Sequence, residues 1–179
     1  MYNIEHSLIN DVQSQLLQLS YPAWAELVSR LLSCMDYEMV EPLGRSKTGN
    51  RFDGLGCDLM AVSPDTGGRR IVAVLAKQYG RKQSIMRRQV DELRGVCGRL
   101  GADEGLIVSS GKSSTAVRTY AHISNHRIPV RIIDLPRLCR LLCAYHLGIW
   151  EQTPSKASDV PKRGLDAEFF EALDAHVTE

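Results

Sequence analysis

The sequence predicts an α/β domain of three layers, a central mixed β-sheet flanked by helices. Two strand-like runs, GCDLMAVS and RRIVAVLAK, meet at the turn Pro64-Asp65-Thr66-Gly67-Gly68, so the chain folds back on itself. Two later runs, GLIVSS and PVRIID, read as compact buried strands, and amphipathic helical segments alternate with them. Antiparallel hairpin strands first and crossover helices afterwards require a mixed sheet covered on both faces.

Taken in order, Ile4, Leu8, Val12, Leu16 and Leu19 lie near helical spacing and predict a first helix. Pro22 starts a second, with Trp24, Leu27, Val28, Leu31, Leu32 and Met35 as its apolar stripe. YEMVE reads as a short strand, and PLGRSKTGNRFDGLG, rich in glycine and polar residues, as a loop. The hairpin strands follow near 56–63 and 69–78. Residues 83–100 form a basic amphipathic helix, with Ile85, Val90, Leu93, Val96, Cys97 and Leu100 for its buried side. A further helix is expected near 113–126, and Pro129 opens the last strand, where proline is tolerated. LPRLCRLLCAYHL is an apolar helix expected to lie across the sheet. The domain is thus expected over 1–150, a linker over 151–164, and a short amphipathic helix over 165–179. Such a helix is marginal alone, so it docks on its own domain or on a protein partner.

A length of 179 residues suits one domain with a substantial core. The net charge of +1 hides an uneven distribution. From Arg69 to Arg99 nine Lys/Arg face only Asp91 and Glu92, while Met1–Glu41 is net −5 and Glu151–Glu179 net −4. A basic middle between acidic ends points to a localised anionic partner, with nucleic acid the first candidate. No basic, apolar leader and no run of membrane-spanning length is seen, and the 5 cysteines sit in apolar contexts. A cytoplasmic protein with no membrane partner is expected. Cys139, Cys143 and His146 share a helical face but supply only three metal ligands, so buried cysteines are the simpler reading.

Asp58 and Lys77 interrupt the two hairpin strands. A charge inside a buried strand is costly unless paired or metal-bound. A carboxylate fixes a hard cation such as Mg²⁺, which polarises a phosphate and lowers the pKa of an attacking water; a nearby lysine orients that water and offsets developing charge. The plainer alternatives are a hairpin acid facing solvent and a strand-end lysine reaching water. Arg81, Lys82, Arg87 and Arg88 suit phosphate contacts or an ordinary solvated helix face, and Arg45, Lys47 and Arg51 occupy a loop able to close over a duplex. The SGKSS segment opens a helix but lacks the spacing of a nucleotide-binding loop, and N-capping by Ser113 explains it more simply.

The order and spacing of WAELVSRLLSCMDYEMV, GCDLMAV, VLAKQYG, VDELRGVCGRLGADEGLIVSSG and SSTAVRTYA resemble the Mrr-type restriction endonuclease catalytic domain, within the restriction-endonuclease-like PD-(D/E)xK superfamily, over about residues 22–145. The resemblance implies a metal-dependent DNA endonuclease using Mg²⁺ (or Mn²⁺), in a defence system or a mobile element. It places the family's metal-binding aspartate on Asp58, its lysine on Lys77 and a helix glutamate on Glu26. By its chemistry the Ala76 carbonyl offers a further oxygen ligand. Leu75 departs from the pattern, which has an acid or glutamine two residues before the lysine. Glu26 or Asp53 would have to fill that gap. Otherwise the chain is a catalytically degenerate member that binds DNA or scaffolds a complex. Cutting both strands needs two active sites, which under the nuclease reading implies a homodimer.

Overall fold

Helix formation at the start of the chain follows from apolar side chains at helical spacing. In the computed structural model, which describes residues 6–42, 56–64, 68–80, 82–122, 128–152 and 162–175, α1 (His6–Gln18) buries Leu8, Val12 and Leu16. The second helix, α2 (Tyr21–Cys34), begins at Ser20, whose hydroxyl accepts from the Ala23 N–H at 3.3 Å. Pro22 sits in its first turn, where a missing N–H leaves no helical bond unmade. Trp24, Leu27, Val28, Leu31 and Leu32 form its buried stripe as their spacing predicts, Ala23 joins them, and Met35 lies just past the helix, half-buried.

The strands are β1 (Glu38–Pro42), β2 (Leu59–Ser63), β3 (Arg70–Lys77), β4 (Ser84–Ile85), β5 (Glu104–Ser109), β6 (Lys112–Ser113), β7 (Val130–Ile133), β8 (Ile149–Gln152) and β9 (Lys162–Leu165). Between and after them lie α3 (Arg87–Leu100), α4 (Thr115–His122), α5 (Leu135–Ala144) and α6 (Ala167–Ala175). The main sheet has the order β1-β2-β3-β5-β7. The first three strands are antiparallel and β3, β5 and β7 are parallel, which is the mixed sheet expected. In the hairpin Leu59 pairs with Val74 and Ser63 with Arg70. The two-residue strands β4 and β6 pair in parallel just past the ends of β3 and β5. They are too short to leave a periodicity in sequence.

Strand alternation divides the interior into two cores. Val72, Val74 and Ala76 of β3 pack with α1, α2, α5 and α6; Ala73 and Leu75 pack under α3 and α4. Every residue of β5 is buried, as a central strand covered on both faces requires. A side chain at Gly105 would lie 2.8 Å from Leu93 Cδ2, so glycine there lets α3 lie close on the sheet.

The chain beyond residue 150 is more structured than the sequence suggests. Glu151–Gln152 and Lys162–Gly164, within the expected linker, belong to the β8–β9 hairpin. Arg163 holds Glu151 through two hydrogen bonds, at 3.0 and 3.2 Å, and these keep the Glu151 carboxyl below its usual pKa range. The last helix turns Phe170 and Leu173 into the core beside α2. Its apolar side is therefore occupied within the chain itself.

Candidate active site

Because β2 runs antiparallel to β3, the start of β2 and the carboxyl ends of β3 and β5 share one edge of the sheet. Asp58 stands just ahead of β2, where its N–H donates to the Val74 carbonyl at 2.8 Å. Its carboxylate is buried and held at both oxygens. Oδ2 accepts from the Ala76 N–H at 2.6 Å, and Oδ1 accepts from the Tyr21 hydroxyl. These donors offset the desolvation of a buried charge. The N–H and C=O of one strand residue point to the same side, and the side alternates along the strand. The Lys77 carbonyl accepts from the Ser110 N–H at 3.1 Å on the β5 side, so the Ala76 carbonyl faces the β2 side, next to Asp58.

Lys77 follows directly, half-buried and paired in register with Ser109. Among the described residues it has no ion-pair partner. Leu75, on the same side of β3, is 6% exposed and packs in the apolar layer with Ala73, Val90 and Ile107. It offers no ligand atom. Glu26 accepts from Arg30 Nε at 2.8 Å along the surface of α2, in a pair whose side chains are 37% and 39% exposed. The structure thus joins Asp58 to Ala76 and gives Glu26 a different partner. No three His, Cys, Asp or Glu side chains gather to hold a metal among the described residues, Cys139, Cys143 and His146 included. Burial pushes the Cys139 thiol up to about 12. Cys57 is raised to about 11 by burial and by the neighbouring Asp58 charge. Neither supplies a ready thiolate at neutral pH.

Two buried or half-buried glutamines fix α1 against this edge. Gln78 Nε2 donates to the carbonyls of Leu16 at 2.5 Å and Leu19 at 2.9 Å, and Gln13 Nε2 donates to the Ser110 carbonyl at 3.2 Å. Both carbonyls on Gln78 belong to the end of α1, where no further turn of helix supplies a donor. Tyr21 and Gln78 escaped the reading of the sequence. Each acts on a partner dozens of positions away, and neither is an unusual residue in its segment.

Cations line the same edge. Lys82, Arg87 and Arg88 are exposed, as is Lys112 of β6. Arg87 and Arg88 occupy the first turn of α3, which has no acid to balance them. Positive charge at the positive end of a helix is unfavourable unless an anion is near. Arg87 lies over the Tyr120 ring at 5.0 Å, and Arg88 reaches Glu92 at 2.6 Å. Arg45, Lys47, Arg51, Asp53 and Arg81 lie outside the described residues. A separate cleft of about 400 Å³, lined by Ser63, Arg70, Glu104, His122 and Arg131 among others, opens at the far end of the strands. It is remote from Asp58.

The Mrr-type restriction endonuclease family matches this chain over residues 16–142, a stretch that holds α2, the hairpin, Asp58, Lys77 and the crossover helices. The chain belongs to that family. No curated protein matches it by sequence. Among solved structures, the DNA modification-dependent restriction endonuclease AspBHI is similar at a TM-score of 0.62 and 11% identity, over 97% of this chain and 41% of that one. The MspJI restriction endonuclease, in complex with a 27-mer oligonucleotide, is similar at 0.52 and 18% identity, over 78% of this chain and 32% of that one. These likenesses show the restriction-endonuclease-like fold, and the chain spans less than half the length of either neighbour.

Proposed function

We propose that this restriction endonuclease domain hydrolyses DNA phosphodiesters with a divalent cation, Mg²⁺ or Mn²⁺, at the edge carrying Asp58 and Lys77. The observation that supports it most is the buried Asp58 carboxylate, hydrogen-bonded at both oxygens beside the Ala76 carbonyl, one residue before a lysine with no ion-pair partner among the described residues. The donor set fits a hard cation shared with the substrate: one carboxylate and one carbonyl are oxygen donors, and Mg²⁺ is commonly held by one or two carboxylates plus substrate phosphates. When bound, the cation would polarise the phosphate and lower the pKa of water. Asp58 and Ala76 would hold it; Glu26 would first have to leave Arg30. Lys77 would offset the negative charge that grows on the phosphate and orient the attacking water.

The cations of the α3 first turn and Lys112 supply phosphate contacts for the duplex, and guanidinium groups match phosphate oxygens well. MspJI, whose fold is shared, was solved on an oligonucleotide. A defence role and a pair of copies cutting both strands fit the family. Leu75 favours a second reading, a degenerate member that binds DNA without cutting it. Supercoiled plasmid incubated with the purified chain separates the two. Nicked or linear product in Mg²⁺ or Mn²⁺, and none in a chelator, is expected; DNA binding with no product in either metal would establish the second.

A further inference from the structure

We propose that Tyr21 is a positioning residue for the metal-holding carboxylate: its phenol fixes the orientation in which Asp58 meets the cation. The inference rests on the nuclease reading above and adds a residue to its site. Each oxygen of the carboxylate accepts from a different part of the fold, Oδ1 from the Tyr21 hydroxyl and Oδ2 from the Ala76 N–H. Two donors from unrelated elements, the first turn of α2 and the end of β3, leave the side chain one orientation.

Tyr21 is itself held firmly. Gln78 ties down the carbonyls of Leu16 and Leu19 just before it, and Asp174 accepts from the N–H and hydroxyl of the adjacent Ser20. Pro22 restricts the backbone on its other side, and the Tyr21 ring packs against the core of α2. The phenol is thus presented by a rigid helix start rather than by a loop. Among the described residues Asp58 is the one carboxylate beside the Ala76 carbonyl, so loss of the phenol that orients it should be felt at the metal.

The test compares the full chain with Tyr21→Phe and Asp58→Asn. Tyr21→Phe keeps the ring and removes one oxygen, and its thermal melt confirms the fold. Mn²⁺ titration of the protein on a DNA duplex, followed by electron paramagnetic resonance, reports metal affinity without turnover. Plasmid cleavage across Mn²⁺ concentrations reports it with turnover. Tyr21→Phe is expected to raise the half-saturating Mn²⁺ concentration by about 10–100-fold, as for other outer partners of metal ligands, with most of the rate recovered at saturating metal. A rate loss that added metal does not relieve, or an Mn²⁺ affinity unchanged while Asp58→Asn weakens it, would overturn the inference and leave the nuclease reading standing. If the unaltered chain binds Mn²⁺, Asp58→Asn and Tyr21→Phe both weaken that binding, and yet no DNA is cut, the positioning role holds and the nuclease reading fails.

Discussion

Asp174 Oδ1, in the last helix, accepts from the Ser20 hydroxyl at 2.6 Å and from the Ser20 N–H at 3.1 Å. Ser20 caps α2, so a residue near the carboxyl end of the chain steadies the helix that carries Tyr21. The same helix places Phe170 against Gly148, where a side chain would meet the ring at 2.5 Å and where φ is +65°. The tail is therefore part of the domain's packing. Phe170→Ala is expected to cost about 3–5 kcal/mol in urea unfolding. Asp174→Ala, at an exposed cap, should cost only about 1 kcal/mol. A Phe170→Ala loss under 1 kcal/mol would show that the helix does not hold the fold.

Gln78 has a similar place at the other side of the site. Removing its amide leaves the Leu16 and Leu19 carbonyls at the end of α1 without their side-chain donor. Gln78→Ala is expected to lower stability by about 1–3 kcal/mol. Hydrogen exchange should localise the loosening to α1 and the first turn of α2.

The first turn of α3 separates stability from binding. Replacing Arg87 and Arg88 together with glutamine removes two charges from the positive end of a helix, a gain of about 0.3–1 kcal/mol each. It also removes the contact with Tyr120 and the exposed pair with Glu92, losses of similar size. The melting temperature should barely move. DNA affinity should fall, and the salt dependence should flatten by about 0.9 for each phosphate contact removed. Unchanged DNA binding would make this turn an ordinary solvated surface.

The cysteines provide a check by pH. Cys34 is exposed, while Cys57, Cys97, Cys139 and Cys143 are buried. Burial raises Cys57 and Cys97 to about 11, so at pH 8 both are thiols and not thiolates. Iodoacetamide at pH 8 should modify Cys34 first, and the other four only after denaturation. Fast labelling of Cys57 in the native chain would contradict the packing described around Asp58.

The hairpin, α2, α3 and β5 were legible because their apolar periods are strong and their turns are marked by glycine and proline. Asp58 and Lys77 stood out for the same reason, as charges inside those periods. The strand residues Glu151–Gln152 and Lys162–Gly164 are not legible as strand because KRGL and IWEQ carry little apolar alternation, and their pairing rests on backbone bonds and the Arg163–Glu151 contact. Tyr21 was invisible because its meaning lies 37 positions away, at Asp58. Leu75 was legible as a departure, and its packing with Ile107 and Val90 explains what it does instead: it completes the core under α3.

The most direct test is single-turnover cleavage of duplex DNA by the full chain, by Asp58→Asn and by Lys77→Met, with duplex binding measured for all three. Both variants are expected to bind DNA like the unaltered chain and to lose more than about 100-fold in cleavage rate, the scale on which acid–base and charge-stabilising groups act. Cleavage that survives either substitution would place the active site elsewhere in the molecule.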